Sequence, residues 1–203
     1  DPRDLHSFPT RRSSDLYRAD SLLRNSPSKQ FLSGRGCPFA CTYCFNHRFR
    51  EMFQGCGPTI RKKTVDYLLA EIKDVQSRYP LKDIVFNDDT FIIDKPWFLS
   101  FAERFPAEIG LSYTCNVRAN LVDDDIARAL KASGCRGVNW SIESGNQTIR
   151  NQVLKRGMTD AQIYEAARVL SRHRVTFRIG NLLGLPGESH EQMLETVDRK
   201  SVV

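Results

Sequence analysis

The chain has 203 residues, of which 40% are apolar and 27% are charged, and its formal net charge is +6. This length suits one sizeable hydrophobic core and therefore one domain. The basic residues are scattered among acidic ones, which argues against a nucleic-acid partner, and no apolar stretch resembles a membrane span or a signal peptide. Six cysteines, three of them crowded together, indicate metal binding in the reducing cytoplasm rather than a secreted disulfide framework.

The two ends of the chain differ in character from its middle. Residues 6–16 and 198–203 resemble translations of the two strands of a sequencing adapter. We therefore expect residues 1–16 and 198–203 to be adapter-derived, with a disordered basic leader as the alternative at the N-terminus. Residues 17–29 are polar and predict a linker, and residues 30–197 then form one incomplete domain.

Apolar periodicity predicts strands and helices that alternate along the chain. The predicted strands are residues 30–33, 83–86, 111–116, 137–142 and 175–183. The predicted helices are one with apolar positions from residue 65 to 75, which ends before Pro80, and others near residues 96–105, 123–132, 147–153 and 160–172 and from residue 190. Residues 45–60 are predicted to be irregular, because Gly55, Gly57 and Pro58 interrupt them.

This alternation predicts βα units with parallel strands. Five strands with the next one absent suit an α/β fold of the partial TIM-barrel type, truncated after about the fifth strand. A flavodoxin-like doubly wound sheet is the structural alternative. Helices that all lie on one outer face would favour the barrel.

Three cysteines lie in one short loop after the first predicted strand, at the spacing CxxxCxxC: Cys37, Cys41 and Cys44. Three thiolates on a tight loop hold three corners of an iron–sulfur cube and leave the fourth iron open to a small molecule. The alternative is a zinc-stabilised binding module without catalysis, with His47 or Cys56 as the fourth ligand. No second CxxC or HxxxH pair occurs in the sequence, and structural zinc usually takes two such pairs.

Residues 34–44, with Tyr43 before the last cysteine, resemble the radical S-adenosylmethionine (SAM) enzymes. They are most similar to the branch that carries a cobalamin-binding domain in front of the radical domain. The resemblance implies a 4Fe-4S cluster on the three cysteines, SAM bound to the open iron, and cobalamin held by a domain absent from this chain. It also implies a reduced electron donor such as flavodoxin or ferredoxin, and a small-molecule substrate that remains unidentified.

The carboxyl ends of parallel strands share one rim of a barrel, where function collects. The resemblance implies that this rim binds SAM, with acidic or backbone groups near its amino group and glycines that let its adenine lie against the backbone. A bidentate arginine suits its carboxylate, and an aromatic residue suits its adenine. The chain has Asn-Asp-Asp at residues 87–89 where many relatives have Gly-Gly-Glu. The expected SAM contacts are Tyr43, Asp88, Asp89, Asn116, Arg118, Glu143, Ser144, Gly180, Asn181 and Gly184.

Each of these contacts has a structural alternative. The aspartates suit a solvated turn, Arg118 a surface salt bridge, Tyr43 the core, and the Glu-Ser-Gly segment at residues 143–145 a helix cap. A buried carboxylate at Glu143 would need a ligand or a cation as its partner. Cys115 ends the third predicted strand and is expected either to point toward the site or to be a buried thiol.

The resemblance implies that SAM is cleaved reductively to a 5′-deoxyadenosyl radical, which abstracts hydrogen from an unactivated carbon of the substrate. Methylcobalamin would then deliver a methyl group to the substrate radical. The alternative among enzymes is a methylthiotransferase acting on RNA or protein, which would need further cluster-binding cysteines upstream.

Overall fold

The computed structural model describes residues 17–198, which form a parallel β-sheet covered by helices. The expected adapter-derived segments lie outside the described residues, except that Asp198 ends the last helix. Within residues 17–198, no helix combines the length and the apolar character needed to cross a bilayer.

Besides the helical residues 17–19, the described part of the chain contains seven strands and seven α-helices. The strands are β1 (Ser28–Phe31), β2 (Gly34–Arg35), β3 (Arg61–Lys62), β4 (Asp83–Phe86), β5 (Ser112–Asn116), β6 (Cys135–Glu143) and β7 (Thr176–Asn181). The α-helices are α1 (Ser21–Asn25), α2 (Asn46–Met52), α3 (Val65–Arg78), α4 (Lys95–Glu108), α5 (Asp124–Ala132), α6 (Asp160–Arg172) and α7 (His190–Asp198). A 3-10 turn at Ala119–Leu121 and a π-helical turn at Ile149–Val153 complete them.

The main sheet has five strands in the order β1-β4-β5-β6-β7, and every neighbouring pair is parallel. Each strand thus pairs with the next sheet strand along the chain, without the reversal of order that defines a doubly wound sheet. Right-handed crossovers in this order place the helices on one face. The predicted parallel α/β fold of the partial-barrel type is confirmed, and the flavodoxin-like alternative is wrong.

An aromatic core lies between α4 and the middle strands. Phe101 of α4 is fully buried, and its ring centroid lies 5.5 Å from that of Phe86 on β4 and 5.8 Å from that of Tyr113 on β5. Phe86 and Phe91 stack at 4.4 Å. The period-2 alternation of β4 and β5 directs these rings to the helices, so the intervening side chains face the concave side of the sheet.

The prediction that residues 45–60 are irregular is wrong for their first half, because α2 begins directly after the cysteine loop. None of its residues is buried, so its apolar side chains give no inward stripe of the kind that identified the other helices. β2 and β3, which form a short antiparallel ribbon beside this helix, were also not predicted.

The segment predicted as a linker folds onto the domain. Tyr17 is buried, and its ring lies 5.3 Å from that of Tyr79 in an edge-to-face contact. Lys29 is buried in β1 and donates hydrogen bonds to the carbonyls of Leu23 (2.8 Å) and Ser26 (2.8 Å), which satisfies part of the carboxyl end of α1. The first strand also begins two residues earlier than expected, at Ser28.

Candidate functional site

The cysteine loop connects β2 to α2 and begins at Gly36, a position where a side chain would clash with the backbone. Gly36 has a φ of +93°, and a Cβ atom built there would lie 1.9 Å from the carbonyl oxygen of Thr59. A side chain at this position would therefore displace the backbone that precedes β3. The glycine lets the loop pass close to the β2–β3 ribbon on its way to Cys37.

Asp88 anchors the start of the loop. Its carboxylate accepts hydrogen bonds from the backbone N–H of Ser33 (2.9 Å) and from its hydroxyl (2.5 Å), and lies 3.8 Å from Nζ of Lys62. Burial lowers the pKa of Lys62 to about 8, although the nearby Asp88 opposes that shift. Asp88 therefore faces away from the space around the cysteines, whereas the next residue, Asp89, lines it.

The far side of the loop is held by the segment after β6. The N–H and the hydroxyl of Thr42 donate to the carbonyls of Leu154 (3.1 Å) and Val153 (2.9 Å) at the end of the π-helical turn. Arg156 donates to the hydroxyl of Tyr43 at 2.7 Å, and that hydroxyl donates to a carboxylate oxygen of Glu143 at 2.8 Å. The loop is thus fixed by contacts that span 100 to 113 residues of sequence.

The three cysteines of the motif line one cavity of about 440 Å³ at the carboxyl ends of the strands. Of the expected SAM contacts, Tyr43, Asp89, Asn116, Arg118 and Gly180 line the same cavity. The other side chains or backbone atoms in its wall come from Phe39, Asn46, Thr90, Val117, Asn139, Trp140, Ser141, Arg156, Arg178 and Ile179.

Two arginines, Arg118, which is buried, and Arg156, which is half-buried, approach one cysteine sulfur. Nη1 of Arg118 lies 3.8 Å and Nη1 of Arg156 lies 3.9 Å from Sγ of Cys41. The Nε atoms of both guanidinium groups are buried and have no hydrogen-bond partner among the described residues. Burial, and next the neighbouring Arg156, lower the pKa of Arg118. Two cations with orphaned donors indicate that this end of the cavity is built for an anionic group.

Glu143 has the buried, partnered carboxylate that was expected of it. Its backbone is in the left-handed region with a φ of +71°, next to an irregularity in the β6–β7 register, which is a strained conformation for a non-glycine residue. Its carboxylate lies 3.8 Å from Arg156. Burial, and less strongly the hydrogen bond to Glu143, raise the pKa of Tyr43 well above its usual value, so its hydroxyl remains a donor.

The other expected contacts do not line the cavity. Ser144 is buried and its hydroxyl accepts from the N–H of Asn146 (3.2 Å), while Gly184 donates its N–H to Glu188 (2.8 Å). Asn181 pairs with Glu143 in the sheet register. At Gly180, by contrast, a Cβ atom would lie 2.6 Å from the hydroxyl of Ser141, so glycine keeps this part of the wall open.

Sequence reasoning missed Arg150, which is fully buried beside the strained end of β6. Its guanidinium donates to the carbonyls of Ser144 (3.0 Å) and Met158 (3.0 Å), and forms an ion pair with Asp160 at the start of α6. This arginine joins the Glu-Ser-Gly segment to the segment that carries Arg156. No periodic apolar pattern surrounds Arg150 in the sequence, so sequence analysis had no signal for this role.

The cysteines outside the motif do not join the cavity. The expectation that Cys115 points toward the site is wrong, because its side chain is buried on the helix-covered face of β5. Burial, and next the neighbouring Cys135, raise its pKa well above the usual value. His47 and Cys56, the expected fourth zinc ligands, also lie outside the cavity wall.

The donor set around the cavity fits a cluster better than a single ion. Among residues 17–198, no three His, Cys, Asp or Glu side chains converge on one metal position. Three soft sulfur donors on one loop nevertheless face the same cavity, with cations at Cys41 and the amide of Asn46 donating to Sγ of Cys44 at 3.5 Å. Burial raises the pKa of Cys37, so a bound metal would be needed to hold it as a thiolate.

The family model for the Radical SAM superfamily matches residues 31–199 of the chain. An uncharacterized methyltransferase of Pyrococcus horikoshii is 27% identical over 185 residues, which cover 90% of this chain and 38% of that protein. Cytidylyl-2-hydroxyethylphosphonate methyltransferase of Streptomyces wedmorensis is 25% identical over 180 residues, which cover 83% of this chain and 32% of that protein. The chain thus spans less than two fifths of the length of these relatives.

Solved structures show the same fold. The structure of TsrM, a radical S-adenosylmethionine methyltransferase from Kitasatospora setae with cobalamin and a 4Fe-4S cluster bound, matches with a TM-score of 0.73 at 20% identity. The match covers 90% of this chain and 36% of TsrM. At this identity the similarity concerns the fold.

Proposed function

Because this chain belongs to the radical SAM superfamily, we propose that it is the core of an enzyme that cleaves SAM reductively at a 4Fe-4S cluster held by Cys37, Cys41 and Cys44. When bound, such a cluster supplies one electron to the sulfonium of SAM, whose carbon–sulfur bond breaks to give methionine and a 5′-deoxyadenosyl radical. The observation that supports this proposal most is the single cavity shared by the three cysteines and by two arginines whose buried Nε atoms have no hydrogen-bond partner among the described residues.

The chain's own residues would bind and orient SAM. Arg118 and Arg156, the two arginines in the cavity wall that approach Cys41, would pair with its carboxylate, and Asp89 is the carboxylate in the wall that suits its amino group. Glu143 acts through Tyr43 and Arg156, because its carboxylate fixes both side chains rather than lining the cavity itself. The glycine at Gly180 leaves room for a flat group against the backbone of β7.

The radical would be used on a small molecule, and methyl transfer from cobalamin is the outcome that we propose. Two curated relatives are named as methyltransferases, and cobalamin is bound in the structure of TsrM. Cobalamin itself would be held by a domain outside this chain. We further propose a cytoplasmic setting with a reduced flavodoxin or ferredoxin as donor, because cluster thiolates persist in a reducing compartment.

The test is anaerobic reconstitution of the chain with iron and sulfide. We expect about 4 iron and 4 sulfide per chain, a brown protein with visible absorption, and release of 5′-deoxyadenosine from SAM when dithionite is added. Iron, acid-labile sulfide and zinc are measured on the same sample, and 5′-deoxyadenosine by chromatography.

A colourless protein with stoichiometric zinc and no sulfide would support the zinc-stabilised binding module instead. Methyl transfer is tested separately, in a longer protein that contains this domain. Methylcobalamin and SAM are supplied, both with a labelled methyl group. A labelled product without a cobalamin requirement would contradict the proposed outcome but leave SAM cleavage standing.

A further inference from the structure

An exposed aromatic face follows the cysteine loop. Phe45, Phe49 and Phe53 are spaced by four residues along α2 and its flanks, and their side chains are 59%, 47% and 54% exposed. Adjacent rings touch, with centroids 4.7 Å and 6.0 Å apart, so the three form one continuous apolar row. Met52 extends it at 66% exposure. Exposed aromatic groups in a contiguous row mark interaction surfaces rather than ordinary solvent-facing helices.

A groove of about 730 Å³ lies between this aromatic face and the β2–β3 ribbon, and it is positively charged. Arg35 and Arg61 are exposed and stand directly opposite each other in the antiparallel register. Neither forms an ion pair with a residue of the described chain. Like charges directly opposite each other destabilise a strand pair, so an anionic group bound between them would relieve this repulsion. Arg50 also lines the groove, and Asp89 is the one carboxylate in its wall.

The groove reaches the metal site through shared residues. Cys37, Asn46 and Asp89 line both the groove and the cavity that holds the cysteine motif. A protein seated in the groove would therefore be in contact with a cluster ligand. Electron transfer between two proteins requires their redox centres to lie close together. Aromatic residues, methionine and arginine, which line this surface, are also the residues enriched at protein interfaces.

We propose that the aromatic face and the arginine groove form the docking surface for an acidic protein that carries one electron at a time. This inference rests on the proposed function, because the surface would serve reduction of a cluster on the cysteine loop. The donor is oxidised by one electron and the cluster is reduced by one, and no covalent bond is made or broken. A second copy of the chain is a poor occupant, since it would bring Arg35 and Arg61 against the same pair of positive charges.

Binding is tested first without any cluster, so that the result does not depend on catalysis. The probe is a purified acidic flavodoxin, titrated against cluster-free protein by calorimetry. We expect binding that weakens with added salt, and a loss of affinity of about tenfold or more in Arg35→Glu/Arg61→Glu. The matched control is Arg24→Glu/Lys82→Glu, which makes the same change of charge at exposed positions before β1 and β4, at the other end of the sheet. This control should bind like the wild type.

The second measurement uses reconstituted protein and two reductants. With reduced flavodoxin, we expect Arg35→Glu/Arg61→Glu, the groove variant, to form 5′-deoxyadenosine at least about tenfold more slowly than the wild type. With dithionite, which needs no docking surface, both proteins should form it at the same rate. Phe49→Ser should weaken flavodoxin binding as well, because its ring is at the centre of the aromatic row.

Several results would overturn the inference. Among them are wild-type protein that does not bind flavodoxin, equal losses in the groove variant and its control, and self-association of the wild type that the groove variant abolishes. Failure of dithionite to drive SAM cleavage in the wild type would instead count against the proposed function, and the binding titration would still decide on the docking surface.

Discussion

The two faces of the sheet differ sharply in what they contain, although neighbouring residues of the same strands build both. On the helix-covered face, Tyr113 and Cys115 of β5 are buried among aromatic rings. On the concave face, Asn116 of the same strand lines the cavity together with Asn139 and Arg178 from β6 and β7. One face therefore supplies stability and the other supplies polar groups for a ligand.

The faces also differ in how their residues are held. Rings of the aromatic core pack against one another through several redundant contacts, so no single polar bond decides their position. The cysteine loop depends on a few specific hydrogen bonds, such as those that Ser33 donates to Asp88 and that Tyr43 donates to Glu143. Substitutions on the two faces should therefore have opposite effects on folding and on the proposed cluster site.

The largest expected effect is loss of the metal site without loss of the fold. Cys41→Ala removes one sulfur ligand from a loop outside the aromatic core, so we expect no cluster and no 5′-deoxyadenosine, while the free energy of unfolding falls by only about 1 kcal/mol. Iron analysis and urea unfolding measure the two quantities. Unchanged SAM cleavage in this variant would refute the assignment of Cys41.

The helix-covered face should give the reverse result. Phe101→Ala leaves a cavity in the aromatic core, and we expect it to lower the free energy of unfolding by about 3–5 kcal/mol. At temperatures where the variant stays folded, it should still take up iron. Phe49→Ala is the matched control, since the same truncation of an exposed ring should lower the free energy of unfolding by less than about 0.5 kcal/mol. Similar losses in both variants would contradict the distinction between core and surface aromatic residues.

The sequence predicted the fold where burial imposes a period. The observed bounds of β4 and α6 are those expected, because each shows an inward apolar pattern, and α6 begins at a capping box formed by Thr159 and Gln162. α2 was missed for the opposite reason, since its phenylalanines face outward and the glycines that follow indicated a loop. Periodicity thus identifies helices that pack on a core, and misses one whose apolar side has no partner within the described chain.

The candidate site was predicted less completely. The spacing of the three cysteines alone predicted that they share one site, because residues on one short loop lie close together whatever the rest of the fold is. Arg156 was missed because its contact with Tyr43 depends on how the π-helical turn folds back across 113 residues. Asp88 and Asp89 could not be told apart by type, and the backbone directs one to Ser33 and the other to the cavity.

These two aspartates give the third prediction. Asp88→Asn should lower the free energy of unfolding by about 1–3 kcal/mol, because it weakens a buried acceptor of two bonds from Ser33 and leaves Lys62 without its nearby carboxylate. Asp89→Asn should change stability by less than about 0.5 kcal/mol and weaken SAM binding. Urea unfolding and SAM titration of both variants separate the roles. If only Asp88→Asn weakened SAM binding, and its free energy of unfolding were unchanged, Asp88 would be a direct SAM contact after all.

The smallest expected effect is the slow alkylation of Cys115, the thiol for which the sequence analysis considered a position near the site. Cys115 is buried among core residues and burial raises its pKa, so in cluster-free native protein we expect it to resist alkylation by iodoacetamide at about pH 8, where only thiolates react. Cys56 is exposed and should be modified under the same conditions, as both should be in guanidinium chloride. Mass spectrometry of the two peptides measures the extents. If Cys115 reacted as fast as Cys56, β5 would have to present it to the concave face, and the division between the two faces would fail at this strand.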